Sequence, residues 1–245
     1  MFFHRAIYWE RKYKRGKEEF LMPIIYLSPS TQDHNYYVTG GTEEYYMNRL
    51  ADAMEPYLAS NGIQYVRNAG WYDFYLALHS NAAGEGNYGG VRGIIAFYYP
   101  YSVNGKRAAD LFVQNLQQIY PLPGRVRTQA TTTLGEVARS RFPAVLLEIG
   151  YHDNYEDASW IENNLTEIAR NLVLSLTEYF GLPFIWPMDP LNGAVAIGGG
   201  TLNLRAKPSL EGQIIASMPN GAAVRIYGRW QVWYVVHYGD YVGYA

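Results

Sequence analysis

Four residues of this 245-residue chain are of the types that bind metal ions or move protons in enzymes: His34, Glu44, His79 and Glu148. Two imidazoles and one carboxylate are a known ligand set for a catalytic zinc ion, which keeps a fourth position open for water. Zinc lowers the pKa of that water to about 7, and a further carboxylate must then take and deliver protons. The four residue types suit metal-assisted hydrolysis, although they are scattered and form no HExxH motif.

Short apolar runs, each bounded by turn-forming residues, predict the strands of a buried sheet. His34 and His79 follow two of these runs, and Glu148 lies near the end of a third. Functional groups of alternating β/α folds lie beyond the carboxyl ends of the strands, so we expect these side chains to converge at one edge. The predicted strands are residues 23–28, 63–67, 74–78, 91–99 and 143–149.

Segments with helical periodicity separate the strands. Thr42 is a predicted N-cap, because Glu43 and Glu44 follow it where the helix dipole favours acids, and apolar residues then recur with a period near 3.6. Further helices are predicted at residues 108–120 and 160–180. The predicted fold class is therefore α/β, with a mostly parallel sheet that is covered by helices on both faces.

Glu148 is the most informative of the four residues, because a charged side chain within the apolar run AVLLEIG is costly unless something compensates it. One interpretation is a buried ion pair with Arg139 or Arg141. The other is a base directed into a cleft. His152 also lies just past the last strand, either lining the cleft or serving as a surface or supporting histidine.

Five segments, taken in order, resemble the zinc-dependent N-acetylmuramoyl-L-alanine amidases of the amidase type 3 family. They read IIYLSPSTQDHN, GGTEEYYMNRLADAM, LALHSNAAGEG, GVRGIIAFYYP and FPAVLLEIGYHDNYEDASWI. The resemblance covers about residues 23–181, and LHSNAA and PAVLLEIGYHDNYED are its most specific parts. It implies an α/β sheet fold, one catalytic Zn²⁺ ion and hydrolysis of the amide between N-acetylmuramic acid and L-Ala of the stem peptide.

The resemblance also implies residue roles, with His34, Glu44 and His79 as zinc ligands and Glu148 as the catalytic carboxylate. Family members carry a glycine-flanked histidine directly after the first strand, whereas here SPSTQDHN follows and His34 is the only histidine in that loop. Glu44 is preferred over Glu43, because the family has an Asn four residues after the ligand and Asn48 fits.

Charge and composition divide the chain into parts. Residues 1–20 carry a net charge of +3, residues 21–189 carry −7 and residues 190–245 carry +2. We predict a basic N-terminal tail at 1–21, with Met22 as an alternative start, and a catalytic domain at 22–182. A linker rich in Pro and Gly follows at 183–193.

Residues 194–245 contain short β-like segments with frequent turn signals, which predict a small all-β barrel. The pattern LNLRAKPS, GQIIASMPNGAAVRI and WYVVHYGDYVGYA resembles bacterial SH3 domains. That family commonly binds cell-wall peptide or polymer, which makes peptidoglycan the expected partner. Seven aromatic residues lie here, and the sequence does not separate core rings from binding rings.

Composition excludes several classes of protein. The chain has no cysteine, so disulfide scaffolds and cysteine nucleophiles are excluded, and a net charge of −2 argues against general nucleic-acid binding. We expect no membrane span, no signal peptide, and a monomer that acts on the cell wall after phage-type release or cell lysis. The alternatives are a zinc carboxypeptidase or other wall-peptide deacylase, and a non-catalytic wall-binding protein.

Overall fold

The computed structural model describes residues 22–68 and 70–245, so the predicted tail at 1–21 lies outside the described residues. The chain forms two compact units. The α/β unit comprises Ile25–Leu58 and Tyr65–Phe184, and the β unit comprises Ala59–Gln64, Ile185–Ala245 and the described residues of Met1–Ile24. Among the described helices, none is both long enough and apolar enough to cross a membrane.

A mixed sheet forms the centre of the α/β fold, with strand order β2-β1-β3-β6-β4-β5. β3 pairs in parallel with β1 and with β6, and β4 pairs in parallel with β5. The prediction of a mostly parallel sheet is confirmed, and the antiparallel pair of β4 and β6 makes the sheet a mixed one. An apolar run does not reveal strand direction. The strands are β1 (Ile24–Pro29), β2 (Gln64–Val66), β3 (Phe74–Asn81), β4 (Ile94–Tyr98), β5 (Val126–Ala130) and β6 (Ala144–Tyr151).

The helices that cover this sheet are α1 (Glu43–Ser60), α2 (Val103–Leu116), α3 (Gly135–Ala138), α4 (Tyr155–Asn163) and α5 (Leu165–Phe180). The predicted N-cap of α1 is confirmed, because the backbone N–H of Tyr45 donates to Thr42 Oγ1 at 3.2 Å. The single helix predicted at 160–180 is wrong in detail. It is two helices, which meet at Asn164 with φ −126° and ψ 18°, outside the helical region.

The two faces of the central strands differ in what covers them. Leu76 and Leu147 project to one face and are fully buried. Ala77 and Leu146 project to the other face, where they pack with Ala144 against Val137 of the short helix α3. Because α3 has only four residues, this second face is the one on which polar side chains at the strand ends can remain accessible.

Asp157 ties the end of β6 to its surroundings. Its side chain is fully buried, and it accepts hydrogen bonds from Arg92 Nε at 3.0 Å and from the Tyr120 hydroxyl at 2.6 Å. The backbone N–H groups of Gly93 and Tyr151 donate to its second oxygen at 3.0 and 3.1 Å. Four donors thus compensate the burial of this carboxylate.

The β unit contains an antiparallel sheet with strand order β7-β10-β11-β12-β8-β9. Val195, Leu204, Met218 and Val236 form its buried cluster. β7 begins inside the stretch predicted as a linker, and the domain boundaries otherwise stay predictions. The strands are β7 (Leu191–Ala194), β8 (Thr201–Arg205), β9 (Ile214–Pro219), β10 (Ala223–Trp230), β11 (Trp233–Tyr238) and β12 (Tyr241–Tyr244).

One early segment of the chain completes the β unit. Asn61 is fully buried, and its side-chain amide donates to the carbonyl of Ile185 at 3.0 Å. The backbone N–H of Ile185 donates in return to Asn61 Oδ1 at 2.6 Å. One side chain therefore satisfies both backbone polar groups of a buried residue more than a hundred positions later in the chain.

Candidate active site

The register of β3 and β6 brings His79 and Glu148 side by side. These parallel strands are neighbours, and His79 is the register partner of Glu148. Side chains alternate between the faces of a sheet, and neighbouring strands lie about 4.8 Å apart, so both side chains project from one face at adjacent positions. It is the face on which α3 lies. Two of the four predicted residues are thus brought together.

Glu43, the first residue of α1, is the acid that reaches His79. Its side chain is 1% exposed, and its Oε1 lies 2.9 Å from His79 Nδ1. The backbone N–H of Ser80 donates to Oε1 at 3.3 Å, and the Asn35 amide donates to Oε2 at 2.6 Å. Donors from β3 and from the loop before α1 therefore hold this buried carboxylate.

The β1–α1 loop adds two amide side chains to the same place. Gln32 Nε2 lies 3.4 Å from His79 Nδ1, and Asn35 Nδ2 donates to Gln32 Oε1 at 2.8 Å. The loop is fixed to the start of α1, because the N–H groups of Glu43 and Glu44 donate to the carbonyls of Asn35 and Gln32 at 2.9 and 3.3 Å. These bonds satisfy two of the free N–H groups at the helix start.

Glu136 is a member of the cluster that the sequence prediction missed. It lies in the first turn of α3, and its Oε2 is 3.2 Å from His79 Nε2. The hydroxyl of Tyr75 donates to Glu136 Oε1 at 3.1 Å. The only local sign was an acid in the segment TTTLGEVARS, which has no apolar periodicity long enough to predict a helix.

Glu148 differs from the other acids because its buried Oε2 has no hydrogen-bond partner in the described part of the chain. Burial raises the pKa of Glu148 to about 7, and the acids Glu43 and Glu136 contribute in the same direction against the opposing effect of His79. Arg139 and Arg141 are exposed, so the structure does not support a buried ion pair with them. The arrangement suits a group that exchanges protons near neutral pH.

His79 and the two acids that contact it, Glu43 and Glu136, are shifted toward their charged forms, the opposite of Glu148. Burial acts against the charged form of His79, but hydrogen bonds with Glu136 and Glu43 outweigh it and raise the pKa of the imidazole. Burial also opposes ionisation of Glu43 and Glu136, yet their bonds to His79 outweigh it and lower the pKa of each carboxyl. His79 and its two acids thus form a charged cluster beside Glu148.

The structure does not place His34 or Glu44 in this cluster. The His34 side chain is 77% exposed, and its Nδ1 lies 3.3 Å from Asp33 Oδ1. Glu44 is half-buried. The Asn48 amide donates to the backbone carbonyl of Glu44 at 2.8 Å and not to its side chain. One turn of helix directs Glu43, not its neighbour, toward the sheet, so the preference for Glu44 is not supported by this geometry.

His152 is a supporting residue in this structure. It is 5% exposed, and its Nδ1 lies 3.1 Å from both the hydroxyl and the carbonyl of Ser80. Its ring stacks on Tyr37 with a centroid separation of 5.6 Å. Ser80 is also the residue whose N–H binds Glu43, so His152 helps to fix the backbone next to His79.

The donor types of this cluster fit a zinc ion. Zinc takes imidazole nitrogen and carboxylate oxygen, and the His79 and Glu43 atoms that approach to 2.9 Å provide one of each. Within residues 22–68 and 70–245, no three His, Cys, Asp or Glu side chains are arranged as a complete metal-binding set. The pair therefore supplies two of the donors that a zinc ion takes.

Comparison with known proteins identifies the family of this chain. Residues 44–178 match the family model described as N-acetylmuramoyl-L-alanine amidase, and residues 200–245 match that of the bacterial SH3 domain. The first match spans more than half of the chain, which therefore belongs to the N-acetylmuramoyl-L-alanine amidase family. Its α/β unit is that of a peptidoglycan hydrolase, and the predicted SH3-like region is confirmed. A comparison with curated protein sequences finds no match.

Solved structures share the α/β fold. The N-acetylmuramoyl-L-alanine amidase AmiC2 of Nostoc punctiforme aligns with a TM-score of 0.56 and 16% identity, over 67% of this chain and 99% of that chain. The catalytic domain of CwlV, an amidase from Bacillus (Paenibacillus) polymyxa var. colistinus, aligns with a TM-score of 0.56 and 16% identity, over 66% of this chain and 100% of that chain. At such identities the likeness concerns the fold.

Proposed function

We propose that the α/β unit binds one zinc ion through His79 and Glu43 and hydrolyses the amide between N-acetylmuramic acid and L-Ala. Glu148 is the proposed catalytic carboxylate. The observation that supports this most is the register pairing of His79 with Glu148, whose buried Oε2 is without a partner in the described residues. An unpaired carboxylate is costly to bury, and carboxyl groups in such environments cluster at functional sites.

The reaction needs a nucleophilic water and a proton for the leaving amine. When bound, zinc would supply Lewis acidity, which polarises an amide carbonyl and makes water easier to deprotonate. Glu148 takes a proton from the water that adds to the carbonyl carbon. It then delivers a proton to the nitrogen of L-Ala as the carbon–nitrogen bond breaks. A pKa of about 7 suits both transfers.

The β unit is proposed to hold the enzyme on its polymeric substrate. Its segment 190–245 carries a net charge of +2, which favours an anionic wall, and Trp230 and Tyr234 expose 36% and 40% of their surface. Tethering a weak binding module to a catalytic unit raises the local concentration of substrate. Peptidoglycan outside the membrane is then the place of action, reached by phage-type release or cell lysis.

Mass spectrometry of purified peptidoglycan treated with the protein tests this proposal. Amidase action yields glycan strands free of peptide and new amino groups on L-Ala. A chelator should abolish both products, and added zinc should restore them. The Glu148→Gln variant is the negative control. Release of D-Ala without free glycan strands would point instead to a carboxypeptidase and contradict the proposal.

Two matched pairs of variants test the ligands. Glu43→Gln and His79→Ala should lose bound zinc, because each removes one of the two donors that meet at 2.9 Å. Glu44→Gln and His34→Ala, which alter the same loop and helix start, should retain it. The zinc content of the purified variants decides between the two sets of ligands. Loss of zinc from the His34 or Glu44 variant, with Glu43 dispensable, would restore the ligand set that the family resemblance implies.

A further inference from the structure

The imidazole of His79 has a carboxylate at each of its two nitrogens. Glu43 Oε1 lies 2.9 Å from Nδ1, and Glu136 Oε2 lies 3.2 Å from Nε2. A neutral imidazole carries one N–H, so one nitrogen donates a hydrogen bond and the other is free to bind a metal. The side on which the proton resides determines where the ion can be held.

The groups on the two sides of the ring are unequal. The Nδ1 side gathers Glu43, whose side chain is 1% exposed, with the amides of Gln32 and Asn35. The carboxylate of Glu136, 35% exposed, contacts the Nε2 side. The amide nitrogen of Gln32 can donate to Nδ1 only when that ring nitrogen carries no proton, whereas at Nε2 the described neighbour is the acceptor Glu136. These contacts favour the tautomer that is protonated at Nε2.

Glu136 is itself held in place by one hydrogen bond and by the packing of the residue that follows it. The hydroxyl of Tyr75 donates to its Oε1 at 3.1 Å. Val137, the next residue of α3, packs into the cluster of Ala77 and Leu146 on the same face of the sheet. Tyr75 precedes His79 by four residues on β3, so one strand carries both the ring and the hydroxyl that fixes its partner.

Metal-binding histidines usually donate their other N–H to a carboxylate, which fixes the tautomer and the ring orientation. We propose that Glu136, held by Tyr75, is a positioning residue that accepts the Nε2–H of His79 and so directs Nδ1 toward Glu43 and the metal. The inference rests on the proposed zinc site. It assigns a role to the short helix α3 beyond packing Val137 against Ala77, Ala144 and Leu146 of the sheet.

Zinc affinity of the full-length protein, measured by competition with a chromophoric chelator, is the first test. Glu136→Ala should weaken zinc binding by about 10–100-fold, as is typical when such an outer partner is lost. Glu136→Gln keeps the size and one acceptor oxygen, so it should recover part of that loss. Tyr75→Phe should weaken binding in the same direction by a smaller factor. Glu156→Ala, an exposed acid in the first turn of α4, is the matched control and should change nothing.

The second test determines the tautomer of His79 in the zinc-loaded protein. A purely structural role for Glu136 would not predict a particular tautomer. Nitrogen-15 NMR of labelled imidazoles should show Nε2 protonated and Nδ1 bound to zinc. Metal on Nε2, or unchanged zinc affinity in both Glu136 variants, would overturn the role of Glu136 while leaving the zinc site intact. Wild-type protein that binds no zinc would overturn the site itself. If Glu136→Ala does not fold, the zinc affinity and the His79 tautomer of Glu136→Gln test the role of Glu136 instead.

Discussion

The two units of this protein differ in the kind of polar group that they bury. In the α/β unit, the carboxyl groups of Asp157 and Glu43 are almost inaccessible, and each is held by several donors from different elements. In the described part of the β unit, the buried polar residues are the neutral Ser60 and Asn61, and Asn61 is bonded to both backbone groups of Ile185. A buried charge needs donors from several surrounding elements, which the larger fold can supply. The chemistry is accordingly concentrated in the α/β unit.

The largest expected effect concerns Glu148. Glu148→Gln should lower amidase turnover by about 10²–10⁴-fold, because that is the usual contribution of a positioned proton-transfer group. Zinc content should remain at the wild-type level, since Glu148 is not a proposed ligand. Turnover on purified peptidoglycan and metal analysis of the same preparation check both statements. Near-normal turnover would remove Glu148 from the mechanism.

Loss of the buried carboxylate at 157 should be the largest effect on stability. Asp157→Ala leaves Arg92 and the Tyr120 hydroxyl without their acceptor, so we expect a loss of about 3–5 kcal/mol in the free energy of unfolding. The adjacent variant Glu156→Ala removes an exposed acid and should stay within about 0.5 kcal/mol of wild type. Urea unfolding compares the two. Equal stability of both variants would contradict the role given to this carboxylate.

The exposed aromatics of the β unit should have a moderate effect that is confined to polymeric substrate. Replacing Trp230 and Tyr234 by Ala should lower affinity for insoluble cell wall by about tenfold, or about 1.4 kcal/mol, because exposed aromatic rings often dominate binding surfaces. Turnover of a soluble muropeptide should be unchanged. A pull-down with purified wall gives the affinity, and Tyr88→Ala, an exposed aromatic of the α/β unit, serves as the control.

At neutral pH the smallest effect is expected from His237, because its effect on stability appears only in acid. Burial, together with nearby Arg225, lowers the pKa of this imidazole to about 4. The unfolded chain therefore binds a proton that the folded state excludes, and stability falls as the pH drops from about 6.5 toward 4. His237→Phe keeps a ring against Tyr227 and should abolish about 1–2 kcal/mol of this acid sensitivity. Hydrogen exchange of β11 at pH 7 and pH 5 measures the loss of stability in acid. An equal loss in the wild type and in His237→Phe would refute the role of His237.

Local signals in the sequence predicted much of the fold. β1, β3 and β6 are apolar runs bounded by turn residues, and Thr42 with two following acids marks the start of α1. β5 was missed because its sequence VRTQA is polar and only Val126 is buried. α3 was missed because four residues are too few to show a helical period.

Local signals predicted less of the candidate site. His79 and Glu148 could be paired from strand ends, since each follows or lies within an apolar run. The choice between Glu43 and Glu44 depends on how one helix turn faces the sheet, and the contact of Glu136 depends on tertiary packing of α3. These are long-range facts, which neither periodicity nor residue type can supply.

The two hydrogen bonds between Asn61 and Ile185 have a consequence for how the chain can be divided. Severing the protein after Phe184 would leave the downstream fragment without the amide that pairs with both backbone groups of its first residue. Fragments expressed from that point are therefore expected to begin with a frayed, hydrated end, even where every residue of the SH3 match is retained. A fusion that borrows the β unit from Ile185 onward would need to supply a substitute for Asn61, which lies more than a hundred positions upstream.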